Sequence, residues 1–333
     1  MKDFEALVDE CIVIFLRKMD EKAQIGQALD LGEWLHWFAF DVISTITFSN
    51  CLGFMEQGKD VNNIIAGIKN TLRYNSVIAE VPYLHQFLLG SPLFAAIATK
   101  FPFFAKFNSI SYVTRFVAKQ LERYAEVKDL SQNRNMDMLA RFKRHRDGEQ
   151  VMTDDELLSH ATSNIFAGSD TTASTLQTIL FNLCRYPQSY AAVMKEIDDF
   201  DRSGRLSDPV TFAEGLQMPY LQACMREALR LRPVVGQLLE RVVPAGGANI
   251  CGVSLPEGTV VGVNPWVVAR DKSTYGDDVE SFRPERWLEA DPEALKLMER
   301  NNLGVSSSLL FTLDDSKQRL TLTVRCRRAS LPW

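Results

Sequence analysis

Apolar residues recur with the 3.6-residue period of an α-helix over most of the first 232 residues. From Leu31 to Phe54 they form one broad apolar face, and Gly53 is expected to end that helix. Similar patterns predict helices over about residues 61–79 and 111–130. Beyond Pro233 the pattern changes to short β-branched runs, which predict strands at Gln237–Val243, Asn249–Val253 and Thr259–Val268. The predicted fold class is therefore mainly α with a small β-sheet region.

The longest predicted helix begins at a capping box. Thr153 and Glu156 are spaced so that each side chain can bond the backbone N–H of the other. The next proline is Pro187, so this helix is expected to cover about residues 154–186, roughly 48 Å of helix. Shorter helices are predicted to start at Pro187 and at Pro219, because proline fits the first turn of a helix.

The composition is that of a folded globular protein. With 333 residues, 46% hydrophobic and 24% charged, the chain is neither collagen-like nor low-complexity nor wholly disordered. Its net charge of −5 at pH 7 provides no global basic field, so no nucleic-acid partner is expected. The six cysteines show no Cys-x-x-Cys spacing and predict reduced, buried thiols in an intracellular setting, with Cys184 and Cys224 inside apolar helix faces.

Two segments indicate whether the chain could contact a membrane. The first 20 residues form an acidic amphipathic pattern, and no apolar run reaches the roughly 18 residues that a spanning helix needs. We therefore expect no signal peptide and no anchor here, and a further segment upstream. The stretch Val81–Phe107 is broken by three prolines and is rich in phenylalanine. It is interpreted either as a lid that touches lipid or a greasy ligand, or as ordinary core packing.

Small and β-branched residues cluster at the centre of the long predicted helix, although such residues are poor helix formers. In one interpretation, Ala167 and Gly168 let a flat, bulky object lie against the helix. Asp170 and Thr171 would then provide the carboxylate and the hydroxyl of a proton relay. The alternative is tight helix–helix packing through small residues, which the pattern alone favours.

A second pattern combines opposite charges from two segments. Glu227 and Arg230 lie three residues apart on one helix face, a spacing worth only about 0.2–0.5 kcal/mol if exposed. The apolar residues around them favour a buried setting. Downstream, Arg286 lies in a segment without a regular pattern, so a buried Glu227 with two arginine partners could tie that segment to the helix, at a cost in desolvation.

In this order, the motifs make the chain resemble the fungal cytochrome P-450 monooxygenases, which are haem-thiolate enzymes, and most of all the branch that contains pisatin demethylase. The resemblance covers about Phe4–Met298 and rests on Ala167-Gly-Ser-Asp-Thr171, Glu227-x-x-Arg230, Pro256-Glu-Gly-Thr-Val-Val-Gly-Val-Asn-Pro-Trp266 and Phe282-Arg-Pro-Glu-Arg-Trp287. It implies the cytochrome P-450 fold, incomplete in this chain. It also implies oxidation of an apolar small molecule or secondary metabolite with O₂.

The resemblance assigns roles to residues of the long helix. Asp170 and Thr171 match the pair that delivers protons during oxygen activation. Ala167 and Gly168 match the place where this helix passes over the face of haem b, the implied cofactor. Arg241 stands where the family has an arginine that pairs with a haem propionate, which would be a charge-assisted contact.

Other roles implied by the resemblance lie outside that helix. Glu227, Arg230 and Arg286 match a structural ion-pair triad that supports the haem-side core. Val234 and Val235 match positions that line the substrate pocket. The predicted organisation is a helical core over residues 1–232 and a β-rich and meander region over 233–298, followed by a tail without family resemblance over 299–333.

The implied partners are O₂, an apolar small-molecule substrate and an NADPH-dependent reductase flavoprotein. Val81–Phe107 resembles the region that covers the substrate pocket and contacts the membrane surface. Full-length members of the family sit on the endoplasmic reticulum membrane through an anchor. Without that anchor, this chain is expected to be cytoplasmic or peripheral to the membrane.

One defining element of the family does not match. The haem-binding loop reads Phe-x-x-Gly-x-Arg-x-Cys-x-Gly, and its cysteine thiolate is the axial ligand of the iron. Here no glycine follows Gly304, and Cys326 lacks glycine neighbours, so no metal ligand is identified and Cys326 is not expected to be one. The last 33 residues carry five Lys or Arg against two Asp, a net charge of +3, and resemble out-of-frame or intron sequence.

Two main interpretations follow from this mismatch. The first is a member of the monooxygenase family that is inactive as written because the axial cysteine loop is missing. The second is a non-catalytic fragment or mis-spliced gene model that does not bind haem. A third, from another functional class, is a helical binding module that uses the aromatic stretch without redox chemistry.

Overall fold

The computed structural model describes residues 2–88, 91, 109–126, 137–143, 152–250 and 252–306. The α-helices are α1 Glu5–Gln24, α2 Leu31–Phe48, α3 Phe54–Gln57, α4 Ile64–Glu80, α5 Ser109–Glu126, α6 Met138–Lys143, α7 Asp154–Arg185, α8 Pro187–Arg202, α9 Phe212–Gly215, α10 Pro219–Leu231, α11 Pro265–Val268, α12 Lys272–Tyr275, α13 Arg286–Glu289, α14 Pro292–Asn301 and α15 Leu303–Ser306. The strands are β1 Leu239–Val242, β2 Ala248–Ile250, β3 Val253–Leu255 and β4 Val260–Val263. The mainly α prediction is confirmed.

The chain forms two compact units. The first comprises Met1–Gln177 and Leu206–Glu214, and the second Thr178–Arg205 and Gly215–Trp333. The division therefore falls within α7 rather than at its end. The predicted organisation, with limits at residues 232 and 298, was based on composition and family resemblance and stays a prediction.

The core of the first unit is built by helices α1 to α7. Each presents an apolar stripe, as its 3.6-residue pattern predicts, and the stripes meet in one cluster. Its buried members are Cys11, Trp34, Trp37, Phe40, Phe48, Phe54, Ile64, Ile68, Val113, Val117, Leu139 and Ile165. This cluster fixes α2 against α7, which positions the residues discussed below.

Helix α2 ends earlier than the sequence predicts. It stops at Phe48 because Ser49 adopts the left-handed conformation, with φ of 50°. The buried carboxylate of Asp41 then accepts hydrogen bonds from the backbone N–H groups of Gly53, Phe54 and Met55 at 2.9–3.1 Å. These bonds cap the separate helix α3. Gly53 is therefore the residue before α3 and not the end of α2.

The capping box and the length of α7 are confirmed. The backbone N–H of Thr153 donates to Glu156 Oε2 at 2.8 Å, and the Glu156 N–H donates to Thr153 Oγ1 at 3.3 Å. The helix has 32 residues and ends at Arg185, just before Pro187. Its start and end therefore follow the local signals that the sequence contains.

A second capping box precedes α9 and was not predicted. The N–H of Thr211 donates to Glu214 Oε2 at 2.8 Å, and the hydroxyl of Ser207 donates to the same oxygen at 2.8 Å. The bond from the Thr211 N–H, together with the bonds from Ser207, lowers the pKa of Glu214 from its ordinary 4.5 to about 2. The folded chain therefore favours the ionised form of Glu214.

This capping box predicts a pH dependence of stability. Because the folded pKa lies below the ordinary one, the stabilisation by Glu214 is complete above pH 4.5 and is lost as the pH falls towards about 2. We expect the difference in melting temperature between the wild type and Glu214→Gln to be largest above pH 4.5. Thermal unfolding at a series of pH values measures this difference, and a difference that stays constant down to pH 2 would contradict the assignment.

The second unit contains the strands, which form two antiparallel pairs. In the first pair, β1 lies beside β4 with Leu239 opposite Val263. In the second, β2 and β3 form a hairpin with Ala248 opposite Leu255. The predicted strand Asn249–Val253 is thus wrong, because it contains the turn of this hairpin, where Gly252 has φ of 82°.

The predicted strand Thr259–Val268 is also too long. Strand β4 ends at Val263, and the side chain of Asn264 accepts a hydrogen bond from the N–H of Trp266 at 2.9 Å. With Pro265 in the first position, this cap starts the short helix α11. Apolar β-branched residues occupy this helical turn because capping outweighs their weak preference for strands.

The cysteines follow the sequence prediction in part. Cys11 and Cys224 are buried, and burial raises the pKa of the Cys224 thiol to about 12. Cys184 is exposed, so the expectation that it lies in a buried helix face is wrong. Its neighbour Leu183 is buried instead, because the apolar face of α7 is turned away from Cys184. Cys251 and Cys326 lie outside the described residues.

Most of the aromatic stretch Val81–Phe107 also lies outside the described residues. Its first part forms a 3₁₀ helix, Pro82–Phe87, in which Tyr83 and Phe87 are exposed. Among the helices that the structure describes, none combines the length and the apolar character needed to span a bilayer.

Candidate functional site

The centre of α7 has one exposed side made of small residues. Ala167 and Thr171 are both exposed and lie four residues apart, which places them on the same side of the helix. The Thr171 hydroxyl donates to the Ala167 carbonyl at 2.6 Å, and the Thr175 hydroxyl donates to the Thr171 carbonyl at 2.9 Å. Both hydroxyl protons are therefore held by the helix itself, and the oxygen atom of Thr171 remains available as an acceptor.

Gly168 lies on a different side of α7 and packs against α2. A Cβ atom placed on Gly168 would lie 2.8 Å from Cδ1 and 2.9 Å from Cγ1 of Ile43, which is closer than real side chains approach. The next residue, Ser169, is fully buried and donates its hydroxyl to the Ile165 carbonyl at 2.7 Å. For Gly168 the structure thus supports the helix–helix packing alternative.

This close approach predicts an unusual effect of alanine. Gly168→Ala gains about 1 kcal/mol of helix propensity, but the contact with Ile43 costs about 2–3 kcal/mol, so we expect a net loss of about 1–2 kcal/mol in unfolding free energy. In an Ile43→Ala background the same substitution is expected to stabilise the chain. Urea unfolding of the wild type, the two single variants and the double variant measures the sign of the Gly168→Ala effect in each background. A stabilising effect in the wild-type background would contradict the close packing of Gly168 against Ile43.

Asp170 is paired with a histidine from α2. His36 Nε2 is in hydrogen-bond contact with Asp170 Oδ1. His36 is 8% exposed and its ring lies 5.5 Å from that of Phe40. The second carboxylate oxygen, Asp170 Oδ2, is buried and has no hydrogen-bond partner among the described residues. His36 was not predicted from the sequence, although a histidine between Leu35 and Trp37 on an otherwise apolar helix is a signal for a buried polar contact.

In the second unit, the carboxylate of Glu227 is the centre of a buried network. It accepts two hydrogen bonds from Arg230 at 2.8 and 2.9 Å and one from Arg286 Nε at 3.0 Å. The N–H of Arg283 and the indole N–H of Trp287 add bonds at 3.0 and 2.9 Å. Glu227 and Arg230 are fully buried, and Arg286 is 3% exposed. The structure thus brings the three residues of the predicted triad together.

Arg230 also organises the segment that follows α11. Its Nη1 donates to the carbonyls of Ala269 and Val279 at 2.8 and 2.7 Å, and its Nη2 donates to the Ser281 carbonyl at 3.2 Å. These carbonyls lie outside regular strands, so they need side-chain donors when buried. The guanidinium therefore satisfies the backbone of a long irregular segment.

Asp278 is a further member of the network that the sequence did not reveal. Arg286 donates to Asp278 Oδ1 at 3.0 Å, and Arg283 lies 2.7 Å from Oδ2. Burial raises the pKa of Asp278, but the hydrogen bond and charge of Arg286 and the charge of Arg283 outweigh it and hold the pKa below its ordinary value. The network thus extends from the buried triad to the surface.

The remaining predicted site residues are on the surface of the second unit. Arg241 is exposed on β1, opposite Val261 of β4, and donates to the Glu240 carbonyl at 2.6 Å. Val234 is half-buried and Val235 is 49% exposed. Their roles as a propionate ligand and as pocket lining stay predictions. Among the residues with described positions, no group of three or more His, Cys, Asp or Glu is arranged to hold a metal ion.

Comparison with known proteins gives a consistent assignment. A family model described as Cytochrome P450 matches residues 1–301. A cytochrome P450 monooxygenase from Aspergillus terreus is 34% identical over 305 residues, which is 89% of this chain and 60% of that protein. The cytochrome P450 monooxygenase cicH from Emericella nidulans is 37% identical over 296 residues, covering 88% of this chain and 58% of that protein.

A demethylase is also similar to this chain. Pisatin demethylase from Fusarium vanettenii is 34% identical over 314 residues, which is 92% of this chain and 57% of that enzyme. The chain therefore spans 57–60% of the length of these three curated relatives.

Proposed function

The chain belongs to the cytochrome P450 family, and we propose that the protein is a haem-thiolate monooxygenase acting on an apolar small molecule or secondary metabolite. The relatives it matches are named as monooxygenases and, in one case, as a demethylase. The observation that carries the proposal is the turn of α7 at residues 167–171. There an exposed side of small residues adjoins a carboxylate with one buried, unpartnered oxygen.

The residues of this turn fit a flat cofactor on the exposed side of α7. Ala167 and Thr171 are one turn apart, and their short side chains would let a macrocycle approach the helix backbone. We propose that haem b binds on the Ala167 and Thr171 side. The proposed role of Arg241 as a propionate ligand, through a charge-assisted hydrogen bond, rests on the family resemblance alone. Gly168 packs against Ile43, and its match to the haem face stays a prediction of the family resemblance.

When bound, the haem supplies the redox centre at which O₂ is activated. The residues of the chain would transfer protons and hold the groups that do so in position. Thr171 can accept a hydrogen bond at Oγ1, because its proton is committed to the Ala167 carbonyl. Asp170 can take up and release a proton at Oδ2, the oxygen that His36 does not occupy. The two side chains are thus suited to complementary steps of proton transfer.

Substrate, electron donor and location follow from the family and are proposed on that basis. The substrate would be apolar and would contact Val234 and Val235, which are partly or largely exposed valines. Electrons would come from NADPH through a reductase flavoprotein. We further propose that the protein works at the endoplasmic reticulum membrane and that Val81–Phe107 contacts its surface, since Tyr83 and Phe87 are exposed.

A second candidate is favoured by one observation on the sequence. No glycine follows Gly304, so the loop that provides the axial cysteine has no counterpart in residues 305–333. On this reading the 333-residue chain is a non-catalytic form that does not bind haem.

Two measurements test the proposal. Sequencing the transcript beyond the codon of Met298 is expected to reveal a Phe-x-x-Gly-x-Arg-x-Cys-x-Gly segment. The protein that contains this segment is expected to show the Soret shift of a thiolate-bound haem when reduced under carbon monoxide, whereas the 333-residue chain is not. A transcript without the segment would overturn the monooxygenase proposal and leave the second candidate.

A further inference from the structure

His36 and Asp170 form a polar contact in a largely apolar environment. The two residues are 134 positions apart, and the contact joins α2 to the centre of α7. Their side chains are 10% and 18% exposed. The neighbours of His36 on α2 include Trp34, Trp37 and Phe40, all buried in the core of the first unit.

Packing alone does not account for this contact. Apolar residues at both positions 36 and 170 would fill similar volumes without the cost of desolvating an imidazole and a carboxylate. Such a replacement is often neutral or stabilising, so packing gives no reason for a polar pair at this place. The contact therefore indicates that the orientation of the Asp170 carboxylate matters.

The second carboxylate oxygen of Asp170 shows what this orientation of the carboxylate achieves. With Oδ1 held by His36, Oδ2 is buried and finds no hydrogen-bond partner within the described residues. An unsatisfied buried oxygen costs about 1–3 kcal/mol, and such groups in folded proteins are commonly explained by a bound water or a functional role. Oδ2 is thus the atom of this carboxylate that lacks an internal partner.

We propose that His36 is a positioning residue for Asp170. It holds Oδ1 and thereby keeps Oδ2 free to receive a proton from a water molecule and to release it next to Thr171. This inference rests on the proposed function, because the proton is needed only if the protein is a monooxygenase. His36 itself does not touch the reacting atoms in this role.

The first test uses the 333-residue chain and does not need haem. His36→Leu leaves the Asp170 carboxylate without its partner and is expected to lower the melting temperature by several degrees. Asp170→Asn is expected to lower it in the wild-type background but to raise it in the His36→Leu background, because it removes an unpaired buried charge. An equal lowering in both backgrounds would show that the two residues do not interact and would overturn the proposal.

The second test uses the full-length, haem-loaded protein. His36→Leu is expected to lower the product formed per NADPH consumed by about ten-fold, less than the loss of a general acid itself, with an unchanged carbon monoxide spectrum. His36→Gln can still donate to Oδ1 and is expected to stay within about two-fold of the wild type. The matched control is His160→Gln, because His160 is exposed on α7, the helix that also contains Asp170.

The outcomes separate the two proposals. A wild-type protein without the carbon monoxide spectrum would overturn the proposed function and, with it, the proton role of Asp170. A normal spectrum with wild-type product yield in His36→Leu would overturn the positioning role alone. Equal losses in His36→Leu and His36→Gln would also overturn it, since the conservative variant keeps the donor.

Discussion

Replacing Glu227 with glutamine is expected to lower the free energy of unfolding by about 3–5 kcal/mol. The carboxylate accepts bonds from two buried guanidinium groups, one backbone N–H and one indole N–H. Glutamine has a single acceptor oxygen and places its NH₂ group against a cation. Arg230 and Arg286 would remain buried with too little negative charge to balance them. Urea unfolding followed by circular dichroism measures the loss.

A matched control distinguishes the effect of losing a buried carboxylate from the effect of losing an exposed one. Glu299 pairs with Arg226 at 3.2 Å on the surface, where both side chains are nearly half exposed. Glu299→Gln removes an ion pair of the same chemical type and is expected to cost less than about 1 kcal/mol. Similar losses in the two variants would mean that the buried network does not stabilise the second unit as its geometry implies.

Replacing Asp170 with asparagine is expected to reduce kcat of the full-length, haem-loaded protein by about 10²-fold. The amide cannot take up a proton at the position of Oδ2, although it can keep a hydrogen bond to His36. The substrate KM is expected to change little, because Asp170 serves proton transfer and not the binding of an apolar molecule. Steady-state product formation and NADPH consumption, measured together, report both quantities.

The control for this variant lies on the same helix. Asp155 is exposed in the first turn of α7, and Asp155→Asn removes a carboxylate without touching the central turn. Wild-type kcat is expected for that variant, with a stability change of a few tenths of a kcal/mol from the helix dipole. An Asp170→Asn protein with wild-type kcat would remove Asp170 from the proton path.

The elements that the sequence predicted best are those whose signals are local. Helix α7 begins at a Thr-x-x-Glu box and ends before a proline, and both signals act within one turn of the chain. The end of α2 could not be predicted in this way. It depends on Asp41, whose carboxylate caps residues 12 to 14 positions further on. A pattern of apolar residues continues through such a break and does not reveal it.

The candidate site shows the same limit. The triad of Glu227, Arg230 and Arg286 was predicted with help from the family motifs, and the structure brings the three together. His36 was not predicted, because nothing in a single sequence links it to a residue 134 positions away. Gly168 was ambiguous between two uses of a small residue, and its close approach to Ile43 could not be predicted from the sequence.

The cap on α3 has a consequence for the motions of the first unit. The amide hydrogens of Gly53, Phe54 and Met55 are bound by a carboxylate that belongs to the middle of α2. They can exchange with deuterium only when that carboxylate moves away, and Asp41 is fully buried. The start of α3 should therefore become labelled together with α2, as part of the same cooperative opening unit.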